Sequence, residues 1–154
     1  MTNIDQIIDY SAYRAGRYVP GLAAVSAMGS ELYADPLRPG QKIAASTEWP
    51  AIPLTHQSLE PSAPKLDPYT QDGVYEIVWS IPMRLWVAKA PIDQIRRLLL
   101  PYYIRYLAAF GPDIRLGGLC QKSRIAGFAI ANAPNGDWAW LQVMLSVTEV
   151  IDFE

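Results

Sequence analysis

The sequence is short of the residues that carry most enzyme chemistry. Its 154 residues include one histidine, His56, and one cysteine, Cys120. A lone cysteine forms no internal disulfide and fits a reducing compartment. One histidine and one cysteine far apart in the chain do not make the clustered ligand set that a metal site needs. A Ser-His-Asp or Cys-His arrangement would have to use His56, which sits in a proline-rich stretch, and no nucleophile-elbow motif occurs. The stretch "RLGGLC" (Arg115–Cys120) lacks the Lys-Ser/Thr and the following helix of a phosphate loop, so Gly117-Gly118 reads as the start of a strand. Two carboxylates can meet in any fold. Here, however, the acids fall chiefly in loops and termini, and only Glu76 and Glu149 sit on expected strands. The expectation is a chain that is not an enzyme and uses no metal or cofactor.

Long apolar runs are missing as well. The richest segment, "IRRLLLPYYIRYLAAFG", is broken by Arg96, Arg97, Pro101 and Arg105, and nothing approaches the ~20 residues of a membrane span. The start, "MTNIDQIIDYSAYRAG", contains acids and no unbroken apolar core, so it does not read as a secretory signal. The net charge of −2 argues against a dedicated nucleic-acid binder. These features describe a soluble protein made inside a cell, with no membrane and no specific nucleic-acid partner.

What is present is apolar and aromatic. Hydrophobic residues make up 51% of the chain, with five tryptophans and nine tyrosines, side chains that serve cores and interfaces equally well. Thirteen prolines fall mostly before residue 92, which places irregular structure in the first half. Charge is uneven: Arg84 to Arg124 holds eight basic residues against Asp93 and Asp113, while the remainder holds five basic and thirteen acidic residues. This is either a solvated helix face with its loops, or a basic patch that meets an acidic patch head to tail.

Periodicity sets the elements. Ile4, Ile7 and Ile8 mark a short amphipathic helix from residue 3 to about 15. "VPGLAAVSAMGSELYADPLRPG" reads as a second short helix ending near Gly29, or as loop. "QKIAASTEWPAIPLTH" holds a short edge strand or an extended arm, because Pro50 and Pro53 each remove a ladder donor. Residues 56–72 form a long proline-rich loop, either a mobile surface segment or a functional arm.

From Gly73 the pattern sharpens. Tyr75–Lys89 alternates as a long strand with Tyr75, Ile77, Trp79, Ile81, Met83, Leu85 and Val87 on one face. Val78 and Trp86 lie on the other face. Pro91 opens a helix of about 91–110 in which Ile92, Ile95, Leu98, Leu99, Tyr102, Tyr103, Tyr106, Leu107 and Phe110 lie close to one stripe. Pro101 is expected to kink or split it, and Gly111-Pro112 to stop it. Gly117–Asn132 reads as a strand with Gly127 at a bulge or a close contact. Pro134-Asn135-Gly136 signals a tight turn, and Trp138–Ile151 alternates again. The fold class is α+β, an antiparallel sheet with the main helix on one face. A single domain covers 1–154, with an N-terminal segment (1–41) of helical and irregular structure and a sheet-and-helix core (42–154).

This order of elements resembles the tail-terminator (tail-completion) proteins of long-tailed bacteriophages. The likeness is carried by "EWPAIPL" before the loop, with Trp49-Pro50-Ala51-Ile52, then by "YEIVWSIPMRLWVA", "PIDQIRRLLLPYYIRYLAAF" and "GDWAWLQVMLSVTEVID". It covers about residues 42–154 and looser features of 1–41, while Pro82 and Pro101 depart from a regular strand and helix. The resemblance implies a structural virion protein, made in the host cytoplasm. It would form a hexameric ring that ends the tail tube, with the tail tube protein and a head–neck adaptor or stopper as partners and a lumen that could admit DNA. On that reading Val78, Trp86, Arg96, Arg97, Trp138 and Trp140, with Leu59 and Tyr69 in the loop, are the candidate subunit contacts. Another neck component shares the same outline, and a small α+β ligand-binding module is the alternative of a different class.

Overall fold

The structure is a computed structural model that describes residues 2–26, 43–50, 55–58, 73–88, 90–132 and 138–153. Among these residues two helices and six strands follow one another: α1 (Ile4–Tyr18), β1 (Leu22–Ser26), β2 (Ile43–Thr47), β3 (Thr55–Ser58), β4 (Gly73–Ala88), α2 (Ile92–Phe110), β5 (Lys122–Asn132) and β6 (Trp138–Phe153). The strands form one sheet in the order β1-β2-β4-β6-β5, with β3 pairing to β4 beyond the end of β2. Every pairing is antiparallel except β1 with β2, which is parallel. The fold is therefore α+β, with both helices on one face of a largely antiparallel sheet.

The long ladder between β4 and β6 pairs residues directly opposite one another from Gly73↔Phe153 to Ala88↔Trp138. Odd residues of both strands thus share the face under the helices. There Ile81, Met83, Leu85 and Val87 meet Leu141, Val143, Leu145 and Val147, all fully buried. Ile7 and Ile8 of α1 and Ile95, Leu99 and Tyr106 of α2 close the same core. Each such aliphatic side chain contributes about 1.5–3 kcal/mol through burial.

Pro82 survives inside β4 for a local reason. Its carbonyl accepts the N–H of Glu48 at 2.9 Å. In a strand, N–H and C=O of one residue point to the same side. The donor that proline lacks therefore faces the end of β2, not the long ladder with β6. The same missing bond helps end β2 at Thr47, just before Trp49 and Pro50.

Several elements differ from the sequence pattern. Leu22–Ser26 is a strand rather than part of a helix, because it pairs with β2. The N-terminal segment thereby contributes to the same sheet as the rest. β2 lies between β1 and β4 and is not an edge, with its prolines outside it. Residues 56–58 belong to β3, while 59–72 lie outside the described residues, as do Pro134-Asn135-Gly136. Residues 117–121 are turns and a bend rather than strand. Leu116, Gly117 and Gly118 all carry positive φ there, which a strand does not tolerate.

Helix α2 runs through Pro101 without being split, with the proline on its exposed side. Its carbonyl partner Arg97 is one turn back and also exposed, so water satisfies the bond that proline cannot make. Pro91 sits just before the helix as its cap residue. Gly111 keeps right-handed φ, so Pro112, lacking an N–H, does the stopping. Ile92 and Leu107 are exposed rather than part of the buried stripe. The bulge in β5 falls between Ile125 and Gly127, at the glycine.

Candidate interaction surfaces

The described residues contain no group of three His, Cys, Asp or Glu side chains placed to hold a metal ion. Cys120 is half-buried, and burial together with the carboxylates of Glu149 and Asp113 pushes its thiol up to about 11. A nucleophilic thiolate needs the opposite environment. A cleft of about 270 Å3 lies between Asn3, Arg115, Cys120, Gln121 and Glu149. Its carboxylate is already engaged by the hydroxyl of Thr2 (2.7 Å), the backbone N–H of Asn3 (2.9 Å) and the indole N–H of Trp79 (2.8 Å). Nearby, Asp113 accepts hydrogen bonds from the hydroxyl of Tyr10 and the N–H of Gly117, and pairs with Arg14 at 3.3 Å. Those contacts, the Tyr10 hydroxyl foremost, hold its carboxyl below the usual range against the effect of burial. Gly117 is needed there, since a Cβ would stand 3.1 Å from the Tyr10 ring at φ +68°. Both acids act as ties between α1 and the rest of the chain.

Among the described residues no helix covers the second face of the sheet, built from even residues of β4 and β6. At its centre, Arg84 donates to Gln142 at 2.8 Å and pairs with Glu48 at 3.0 Å. Its guanidinium carbon lies 5.7 Å from the Trp86 ring centre and 5.6 Å from that of Trp140. The two indoles pack 5.7 Å apart at a tilt of 43°, and Trp86 donates to the Ser46 hydroxyl at 3.2 Å. This is a cation–π cluster closed by hydrogen bonds. Trp86 is only 6% exposed, so its own chain covers it, and a neighbour is not required to bury it. Trp140 is half-buried beside it, and Trp138 stands opposite Ala88 two residues earlier in β6. Val78, half-buried, is on the same face but farther down β4.

Arg96 and Arg97 belong elsewhere, on the exposed side of α2. There the structure reveals a second apolar stripe. Leu100, Ile104 and Leu107 recur at helical spacing, and Ile104 is 61% exposed. Around the side of the helix, Tyr103 packs on Phe128 of β5 at 4.3 Å between ring centres, and Phe128 is 45% exposed. β5 itself is the outer strand of the sheet. Neither Arg96 nor Arg97 has an ion-pair partner among the described residues.

The candidate contacts thus divide between two layers: Val78, Trp86 and Trp140 on the second sheet face, Arg96 and Arg97 on the helix layer, while Trp138 begins β6 opposite Ala88. Leu59 and Tyr69 lie outside the described residues. The sequence reading missed Arg84, Glu48 and Gln142, whose meeting depends on strand register. It also missed the Leu100–Ile104–Leu107 stripe, which was legible as a repeat at i, i+4 and i+7 beside the main one. No protein-family model matches the chain, and no curated protein matches it with significant similarity.

Proposed function

We propose that the chain is a structural subunit of a long-tailed bacteriophage, forming a ring that ends the tail tube and offers a surface to the head–neck complex. The observation that carries this reading is the outer side of α2 with β5. Exposed Leu100, Ile104, Leu107 and Phe128 adjoin Arg96 and Arg97, which have no ion-pair partner among the described residues, and an outer strand of eleven residues. An exposed apolar surface rimmed by charge, next to a strand that is outermost among the described residues, suits a protein that works against neighbours. The α+β order of elements, on which the resemblance to tail terminators rests, adds support.

The test is native mass spectrometry and negative-stain imaging of the purified chain, alone and mixed with purified tail tubes. Six-fold rings, free or seated at tube ends, are the expected result. A chain that stays monomeric at high micromolar concentration and leaves tube ends bare would end this reading. A ring found instead at another level of the neck in the virion would favour an adaptor or stopper.

A further inference from the structure

We infer that the outer edge of β5 takes an extended segment of a partner protein as one more strand, with apolar side chains beside α2 and an acid near Arg96. This rests on the reading of that side as a contact surface and names what it contacts. Among the described residues β5 is the outermost strand beyond β6. Its bulge sets Lys122 and Arg124 apart from the rest of the strand. From Gly127 to Ala131 it reads Gly-Phe-Ala-Ile-Ala, with no charge and no proline. Charge and proline are what keep an edge strand from pairing, so this half stands as a template for another backbone. Phe128 and Ala129 are exposed along it, as is Ala126 at the bulge.

Helix α2 flanks the same place. Phe128 pairs with core residue Val143, so it lies on the helix side of the sheet, and Tyr103 packs on it. Arg96, Leu100, Tyr103 and Leu107 follow one another at spacings of four, three and four, which keeps them on one flank of the helix. Tyr103 stands over the outer strand while Leu99, Tyr102 and Tyr106 face the core. The flank that continues from Tyr103 therefore looks outward over the position beside β5, where Leu100 and Leu107 are exposed. The level of Arg96 follows from the chain path. β4 ends at Ala88 opposite Trp138, and β5 ends at Asn132 opposite Ala139, so α2 starts at the far end of β5 and runs back along it. Arg96 precedes Tyr103 by two turns, about 10 Å. That is about three strand residues beyond Phe128, level with Ala131. Arg96 is exposed and has no ion-pair partner among the described residues. The edge recognises backbone, the leucines and aromatic rings recognise apolar side chains, and the arginine recognises a carboxylate.

A synthetic peptide tests it. Nine residues, capped at both ends, carry glutamate, three valines and glutamate at alternate positions, with threonine between, a symmetric row that suits either strand direction. Calorimetric titration should show saturable binding, and hydrogen exchange should slow over residues 126–131. Two N-methylated versions, blocked at odd or at even residues, should differ, because only alternate N–H groups of an added strand face β5. One keeps its affinity and the other loses it. Arg96→Glu, with folding checked by circular dichroism, should weaken the glutamate peptide about fivefold and favour a lysine version. No saturable binding, unchanged exchange in β5, equal behaviour of the two N-methylated peptides, or indifference of the Arg96→Glu variant to the peptide's charge would overturn the strand site. Wild-type rings in which β5 is already protected and closed to the peptide would put a second copy there and overturn it too, while the ring reading stands. A chain that binds the peptide as expected but forms no ring, free or on tubes, would keep the strand site and end the ring reading.

Discussion

The carboxylate of Glu149, near the end of β6, accepts the backbone N–H of Asn3 at the start of α1, 2.9 Å away. One of the orphan donors of a helix N-terminus is thereby satisfied from a strand at the far end of the chain, and negative charge sits where the helix dipole favours it. The side chain of Asn3 makes no cap of its own. It reaches instead to the carbonyl of Leu119 at 3.2 Å. The first helix is thus fastened to the sheet and to the turns after α2 at a single point.

Glu149→Ala should therefore destabilise the fold well beyond a surface change. The residue is 4% exposed, and its loss strands the indole N–H of Trp79 and the N–H of Asn3. The expected cost is about 2–3 kcal/mol. Urea denaturation checks it, and a change within 0.5 kcal/mol of wild type would contradict the three hydrogen bonds.

The Tyr10–Asp113–Arg14 tie makes stability depend on pH at both extremes. Asp113 is held below its ordinary pKa in the folded chain, chiefly by the Tyr10 hydroxyl. Its contribution is thus present above the unfolded value of about 3.9 and lost as pH falls through the lower folded value. Tyr10 is raised, chiefly by its hydrogen bond to Asp113. Its contribution is present below about pH 10 and lost as pH rises through the higher folded value. Asp113→Asn should cost about 1–2 kcal/mol near neutrality, and the gap to wild type should narrow below about pH 4. Denaturant midpoints at neutral and acidic pH measure this, and a pH-independent gap would rule out the assigned role.

Patterns within one element were readable before the structure; relations between elements were not. Alternation in β4 and β6 and the stripe of α2 identify Ile81, Leu85, Leu141 and Leu99 as core, since period alone decides which side they face. Gly127 marks the bulge because a glycine breaks an otherwise regular run. The strand nature of Leu22–Ser26 depends on β2 lying alongside, and its small residues fit either state. The Arg84 cluster needs the β4–β6 register, which joins Arg84 to Gln142 and Trp86 to Trp140. Glu149 looked like an isolated strand acid because its partners lie more than a hundred residues away in Thr2 and Asn3.

Trp86 is where that difference changes an expected outcome. Alternation places it on the sheet face away from the main helix, and the resemblance to ring-forming proteins makes it a candidate contact with a neighbouring subunit. On that reading Trp86→Ser would weaken assembly more than folding, with cover by the chain's own N-terminal segment as the alternative. The indole is instead buried against Ser46, Arg84 and Trp140 within one chain. Its removal leaves a cavity and loosens the Arg84 network, so Trp86→Ser should cost about 3 kcal/mol or more in folding. Chemical denaturation of the isolated chain decides the matter. Unchanged unfolding with lost assembly would restore the interface role.

Tyr106 provides the opposite case, a substitution that should help. Its ring is fully buried in α2 and stacks nearly parallel to Phe110, with centres 6.1 Å apart. Its hydroxyl has no hydrogen-bond partner among the described residues, and burial alone drives its pKa far upward. A buried donor without a partner has lost its water and gained nothing in exchange. Tyr106→Phe keeps the ring and its stacking while removing that group. The expected gain is up to about 1 kcal/mol, or about 2–4 °C in melting temperature for a chain of this size. Calorimetry of the two proteins makes the comparison directly. A variant less stable by a similar amount would mean that the hydroxyl is held by a partner, such as a buried water, and that the core is polar at this point.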